Sequence, residues 1–278
     1  PEAVHEWKKA RGYDMPLFLN DEKSGFDKVT ETIFYEKSVR LFIFDFGKTD
    51  EGRIILDEIK KRMWPSLAVA LPVFMVGLVV SIFVSLIIVM FRASLFEFSV
   101  MVLCVAMFSI SSMFYIIGGQ FLFGKLWSLV PVSGFIADIS AIKFLILPII
   151  IGVISGFGGG VRVYRIIFLE EANKDYIRTA RAKGVSELAI LFGHLFPNGL
   201  IPILTGIVVV IPALFLGSLV TESFFGIPGL GSFTIDGIRA QDFSIVRSMV
   251  FLSSVLYILG LLLTDISYTI ADPRVRLT

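Results

Sequence analysis

The sequence predicts an all-α membrane protein: a polytopic helical bundle with five spans in this chain, a sixth upstream of residue 1, and an extracytoplasmic segment at the N-terminus. Three observations predict it. Of 278 residues, 55% are hydrophobic and 18% charged, where a soluble domain sits near about 45–50% and about 25%. The apolar residues collect into five long runs, as a spanning helix requires. The loops between those runs differ in charge, as they do when one side faces the cytoplasm.

Residues 1–64 form the first region, the expected extracytoplasmic segment; residues 65–278 form the transmembrane domain. The segment is polar, with 12 Lys/Arg against 13 Asp/Glu. A helix is expected to end near Gly12, with Pro16 shortly beyond it. The alternating stretch Leu41–Phe46 is compatible with short strand pairing. "EGRIILDEIKKRM" reads as an amphipathic helix leading to Pro65.

The five apolar runs cover residues 66–91, 98–123, 144–161, 195–221 and 248–264. Each has the length of a span. Pro72, Pro148, Pro202 and Pro212 lie inside them and predict kinks, because neighbouring helices can satisfy the freed carbonyls. Gly77, Gly152, Gly156, Gly158, Gly206 and Gly260 offer sites of close helix approach. Cys104, the single cysteine, sits in an apolar run and excludes an intrachain disulfide.

Loop charge sets the orientation. Residues 162–194 carry six cations against four acids, and the tail adds Arg274 and Arg276. Positive loops stay inside, so 162–194 and the C-terminus are expected in the cytoplasm, and 124–143, 222–247 and 1–64 outside. A span upstream of Pro1 is then needed to carry the N-terminal segment across. The net charge of +1 gives no reason to expect a nucleic-acid partner.

One loop stands apart. "EEANKDYIRTARAKG" (170–184) has good helix formers, with Glu171, Asp175 and Arg178 at helical spacing and an apolar stripe of Ala172, Tyr176, Ile177 and Ala180. Gly184 is placed to close that helix with a positive φ. Ser186 is placed to cap a second helix, "ELAILFGHLF", with Glu187 in its first turn. Pro197 marks where the next span begins. Two helices at a sharp bend make a knob suited to a groove on a cytoplasmic partner. From residues alone the plainer reading leads: a loop that is basic because topology demands it.

Resemblance changes that balance. "EEA", a glycine twelve residues after Ala172, and "FP" at 196–197 resemble the EAA loop of ABC importer permeases. "DYIRTARAKGVSE…HLFPN" is similar to the form in the oligopeptide/dipeptide/nickel branch. "GYDMPL" (12–17), "LVPVSGF" (129–135), "FGIPGLG" (225–231) and "ADPRVRL" (271–277) resemble further boxes of that branch in the same order. The long external segment resembles the B-type subunit. Asn173, Phe196, Tyr13 and Met15 depart from the usual pattern and suggest a divergent subgroup, similar to the Yej-type transporters of larger or modified peptides.

The resemblance implies a permease subunit of an ATP-driven peptide importer in the bacterial cytoplasmic (inner) membrane. Its implied partners are a second related permease, two ATPase subunits, an extracytoplasmic solute-binding protein and membrane lipid. No cofactor is implied in this chain, since ATP and Mg belong to the ATPase subunits. The residues implied in coupling are Glu170, Glu171, Ala172, Arg178, Ala180, Arg181, Gly184 and Pro197. Gly184 would supply the bend, Glu171 and Arg181 polar contacts, and Ala172 and Ala180 a small surface for close approach. A nickel or metal-chelate permease of the same branch, a secondary transporter and a membrane-embedded enzyme are the rivals. A secondary transporter would be expected to show internal repeats and midplane charges, and an enzyme paired polar groups in its spans.

Other candidates weigh less. His5 and His194 are expected on opposite sides of the membrane, so they share no metal or catalytic site. "GFGGGV" (156–161) lacks the Lys and Ser/Thr of a phosphate loop, so this chain is not expected to hydrolyse ATP. Asp265 is expected at the cytoplasmic boundary. Glu222 and Asp242 lie in the outer loop, facing a receptor, a cationic peptide terminus or solvent. Trp64 and Trp127 meet spans and suit interfacial anchoring.

Overall fold

The computed structural model describes residues 12–21, 23, 25–136 and 141–271, with residues 6, 8 and 9. The helix expected before Gly12 lies largely outside these residues, and so do His5, Trp7 and the tail with Arg274 and Arg276. By packing, the chain forms two compact units, Pro1–Arg62 with Phe233–Ser254, and Met63–Ser232 with Val255–Thr278.

In the first unit, short helices α1 (Asp27–Thr30) and α2 (Ile33–Lys37) follow one another. Thr32 separates them and caps α2, its hydroxyl accepting from the Tyr35 amide at 3.2 Å. Leu41–Phe46 is no strand. A 3-10 turn covers Val39–Ile43, and Phe44 follows with φ of 58°, a left-handed conformation foreign to strands. The reason is aromatic packing: Phe42, Phe44 and Phe46 gather edge-on around Phe251, with centroids 5.4, 6.3 and 6.3 Å away. Strand-like pairing among the described residues is limited to one antiparallel bridge, Lys48 with Ile54.

Helix α3 runs unbroken from Ile55 to Met90 through Pro65 and Pro72, so Pro65 ends nothing. The run 98–123, expected as one span, is two helices: α4 (Leu95–Ser109) and α5 (Ser112–Gly119) with a π turn at Gln120–Leu126. They meet at 87°. Ser111 explains the break, because its hydroxyl caps α5 by accepting from the Met113 amide at 3.4 Å. The rest follows as α6 (Ala141–Ala172), α7 (Asp175–Ala182), α8 (Glu187–Ile190), a π turn at Leu191–Leu195, α9 (Phe196–Leu214), α10 (Leu219–Phe225), α11 (Leu230–Arg239) and α12 (Phe243–Ala271). Among the described residues four helical segments are long and apolar enough to cross a membrane, and the bent pair α4–α5 makes a fifth if taken as one span.

In the second unit α6 is the central post. Cys104 is fully buried on α4, and its carbonyl sits so close to Gly158 that any Cβ there would overlap it. Gly152 meets the Val73 side chain in the same way, with 2.8 Å left for a Cβ. The Ser85 hydroxyl reaches from α3 to the Val161 carbonyl at 2.9 Å. Gly260 leaves only 2.9 Å between a Cβ and the Val209 carbonyl. Gly77, Gly156 and Gly206, expected at such contacts, face open space. The turn between α3 and α4 is bolted to α6 by an ion pair. Arg165 donates through Nε and a terminal nitrogen to Glu97 Oε1, and the Ala93 amide donates to Oε2 at 2.6 Å. Just past the end of α6, Arg92 reaches Asn173 at 3.2 Å.

Candidate functional site

The loop 170–197 resolves into a hairpin of α7 and α8 set between the spans α6 and α9. Its start differs from expectation. Glu170, Glu171 and Ala172 are the last turn of α6, and the chain breaks at Asn173–Lys174 before α7 begins at Asp175. Asn173 is a weaker helix former than its neighbours, but a single residue's propensity is too small a signal to place a break.

Helix α7 is amphipathic over two turns. Ile177 and Ala180 are buried, and they pack with Ile190 of α8 into a small core of their own. Asp175, Arg178, Thr179, Ala182 and Lys183 form the exposed face. Gly184 takes φ of +80°. Around it the Gly184 amide donates to the Arg181 carbonyl at 2.9 Å and the Val185 amide to the Ala180 carbonyl at 3.2 Å. That pair of bonds is a Schellman closure, which satisfies carbonyls the helix end would otherwise leave open. Ser186 then caps α8, its hydroxyl accepting from the Ala189 amide at 3.4 Å. Arg181 and Glu187 join across the bend through two bonds of 2.7 and 3.1 Å. Pro197 sits in the first turn of α9, where its missing N–H costs nothing.

The base of the hairpin is polar. Glu171 is 7% exposed and accepts from Lys174 Nζ at 2.7 Å and from the Tyr176 hydroxyl. Burial, and then the Glu171 carboxylate, push the Tyr176 phenol above its usual pKa. The Tyr176 ring meets His194 edge-on at 6.4 Å. Beneath, Ala172 packs with Leu86, Val89, Phe168, Leu191, Leu195 and Ile203. Three of the residues implied in outward contact therefore face inward. Ala172 and Ala180 are 3% and 8% exposed, and Glu171 is spent on its own chain. Arg181 is paired with Glu187, Glu170 and Pro197 are exposed, and Arg178 is left on the open face. The outward set that sequence reasoning missed is Asp175, Thr179, Ala182, Lys183, Val185 and Leu188. The buried positions Ile177 and Ala180, three apart, were the signal that fixes which face remains free.

Glu222 is buried rather than solvated. It is 1% exposed, on α10. Oε1 accepts from the Ser218 amide at 3.2 Å and Oε2 from the Ser232 amide at 3.1 Å, with Ser66 and the Gly231 amide as further donors. Ser66 Oγ in turn accepts from the Leu230 amide at 2.7 Å. A Cβ at Gly217 or Gly229 would overlap the carboxylate, so both glycines exist to let it in. Burial still outweighs these donors and raises the Glu222 pKa. The carboxylate borders a cleft of about 450 Å³ with Ser112, Pro148, Ser155, Val73 and Thr221.

Asp242, in the first unit, is 3% exposed. It caps α12, accepting from the Ser244 and Ile245 amides at 3.0 and 3.3 Å, and its other oxygen holds the Asp50 amide at 2.7 Å. It too is withdrawn from solvent and serves as a structural cap. No group of three or more His, Cys, Asp or Glu among the described residues is arranged to hold a metal.

Comparison with known proteins bears on this geometry. Residues 41–277 match the family described as the binding-protein-dependent transport system inner membrane component. The chain is 33% identical over 257 residues to a Brucella abortus (strain 2308) protein provisionally named a peptide transport system permease, covering 91% of this chain and 82% of that one. It is 29% identical over 261 residues to the dipeptide transport system permease protein DppB of Escherichia coli K12, covering 84% and 77%. Over a shorter stretch of 135 residues it is 40% identical to the oligopeptide transport system permease protein AppB of Bacillus subtilis 168, covering 49% and 43%.

Proposed function

This chain belongs to the family of binding-protein-dependent transport system inner membrane components, a multi-pass protein of the bacterial inner membrane, and from that premise we propose that it is the B-type permease subunit of a peptide importer driven by separate ATPases. The peptide cargo is supported by the names of the relatives, which are peptide, dipeptide and oligopeptide permeases. A second related permease would complete the pathway, two ATPase subunits would carry ATP and Mg, and an extracytoplasmic binding protein would deliver the cargo. This chain's own part needs no cofactor.

The observation that carries the coupling reading is the build of the α7–α8 hairpin. It has its own core at Ile177, Ala180 and Ile190, a brace at Arg181–Glu187, and almost no slack between it and the spans. Two residues separate it from α6, and a single π turn joins it to α9. A docked partner that pushes such a hairpin moves α6 and α9 with it, because close-packed helices shift as bodies rather than deform. The docking surface is the outward set, Asp175, Arg178, Thr179, Ala182, Lys183, Val185 and Leu188, rather than Glu171 and the buried alanines.

The test is reconstitution. The chain, its paired permease, the two ATPases and the binding protein in proteoliposomes are expected to take up peptide with ATP inside and binding protein outside. Uptake by this chain alone under an ion gradient would overturn the reading.

A further inference from the structure

At the end of α12 opposite Asp265, the first unit contains a pocket of about 480 Å³ walled by Leu41, Val246, Val250 and Phe251, with Tyr13 and Arg247 at its polar edge. Four observations bear on what fills it. First, Arg247 Nε is buried without a hydrogen-bond partner, and among the described residues the guanidinium forms no ion pair; its one side-chain partner is the Tyr13 hydroxyl. A buried guanidinium nitrogen left open carries a cost that an anion would remove. Second, Lys37 lies over the ring of Tyr13, a residue that lines the pocket, with Nζ 5.3 Å from the ring centroid. Burial first, and then the charge of Arg247, hold the Lys37 ammonium below its usual pKa, against a smaller opposing pull from Glu36 and Asp50.

Third, the nearby acids do not fill that role. Glu36 is held by Arg40 at 2.6 Å, and both oxygens of Asp242 are occupied by backbone amides. Glu36 and Asp50 act on Lys37, and Asp242 and Glu36 on Arg247, through charge, and none of them supplies the acceptor that Arg247 Nε lacks. Fourth, the pocket lies at the level where a bilayer ends. Residues 248–264 of α12 carry no charge, about 25 Å of helix at 1.5 Å per residue, and Arg247 is the charge that closes that stretch. Beside the pocket Phe42 and Ile43 are 75% and 73% exposed, and Phe42 packs on Phe251 inside the span. Exposed apolar side chains at the end of a span mark a surface that can meet lipid.

We propose that this pocket binds an anionic phospholipid, its phosphate between Arg247 and Lys37 and an acyl chain along Leu41, Val246, Val250 and Phe251. Phosphate supplies the acceptor oxygens that the guanidinium lacks, and the apolar wall matches the chain below it. The exposed Phe42–Ile43 tip would share the same leaflet.

The experiment uses the assembled transporter in nanodiscs of phosphatidylcholine doped with phosphatidylglycerol, extracted and read by native mass spectrometry for retained lipid. Wild type is expected to retain phosphatidylglycerol in preference to phosphatidylcholine. Arg247→Gln is expected to lose about five-fold of that preference and Arg247→Gln with Lys37→Gln about thirty-fold, from roughly 1 kcal/mol per basic side chain near an anionic lipid. Arg247→Lys is expected to keep most of it. Val250→Trp, which leaves both cations in place and fills the groove, is expected to release the lipid without disturbing subunit assembly. Retention unchanged in the double variant overturns the proposal. Equal displacement of the lipid by millimolar inorganic phosphate assigns the site to a free anion and overturns the lipid. Cross-linking of Arg247→Cys to an acidic stretch of a neighbouring subunit, with no lipid retained, overturns it as well.

Discussion

Arg181 and Glu187 face one another across the Gly184 bend, and the guanidinium grips the carboxylate through two separate nitrogens at 2.7 and 3.1 Å. The pair closes a six-residue turn, so it acts on the angle between α7 and α8 more than on the stability of either. Both side chains are substantially exposed, 38% and 58%, so solvent screens the attraction and its net worth is about 1 kcal/mol or less. Arg181→Gln or Glu187→Gln is therefore expected to leave assembly and ATPase activity intact and to lower uptake per ATP consumed. The exchanged pair, Arg181→Glu with Glu187→Arg, is expected to recover part of that ratio. Equal losses in the singles and the exchange would show that the bridge itself is irrelevant.

Gly184 separates backbone strain from crowding. A Cβ there meets nothing within 4 Å, yet φ is +80°, which costs a non-glycine residue about 1–2 kcal/mol. Asn tolerates that conformation better than Val. Gly184→Asn is expected to transport nearly as wild type, and Gly184→Val to lose coupling while ATPase activity persists. Identical behaviour of the two, in uptake and ATPase assays run side by side, would refute the conformational explanation.

Much of this hairpin was legible in the sequence. Gly184, Ser186 and Pro197 are residues whose backbone preferences are local, and each takes the expected role. The spans were legible too, because length and hydropathy are summed over many residues. What escaped depends on tertiary placement. The end of α6 at Ala172 is set by packing on Phe168 and Leu195, not by propensity. Glu222 and Asp242 read as outer-loop carboxylates, and only the fold reveals that backbone amides draw them inside. Ser111 was a readable signal, a capping hydroxyl inside an apolar run, and it marks the α4–α5 bend that hydropathy averaged away.

Glu222 ties α10 to the first turn of α11 and to Ser66 of α3. Glu222→Gln places an amide N–H₂ against backbone donors and is expected to cost about 1–3 kcal/mol. The pH dependence has a definite sign. Burial raises the folded pKa above the ordinary 4.5, so folding favours the protonated acid. Its contribution is complete below the unfolded value and is lost as pH rises through the folded one. Thermal unfolding midpoints of wild type and Glu222→Gln, measured from pH 4.5 upward, are expected to converge with rising pH. A gap that widens instead would mean that the amide cage, not burial, governs the acid.

Arg165 and Glu97 bolt the α3–α4 turn to α6, and Glu97 is 9% exposed. Arg165→Met strands a buried carboxylate, at an expected cost of about 3–5 kcal/mol. Removing both, with Glu97→Met added, is expected to cost less than the single change. Thermal unfolding in detergent reads this directly, and additive losses would show that the two side chains act separately.

The central claim is that a separate ATPase seats on the open face of α7. Arg178 is the probe, since it is 71% exposed and outside the hairpin core. Arg178→Cys carrying a short photoreactive cross-linker, in a Cys104→Ser background within the assembled transporter, measures the contact. The account expects a cross-link to an ATPase subunit whose yield changes when ATP is trapped. Labelling confined to lipid or to this chain, with no ATPase adduct in any nucleotide state, would contradict it.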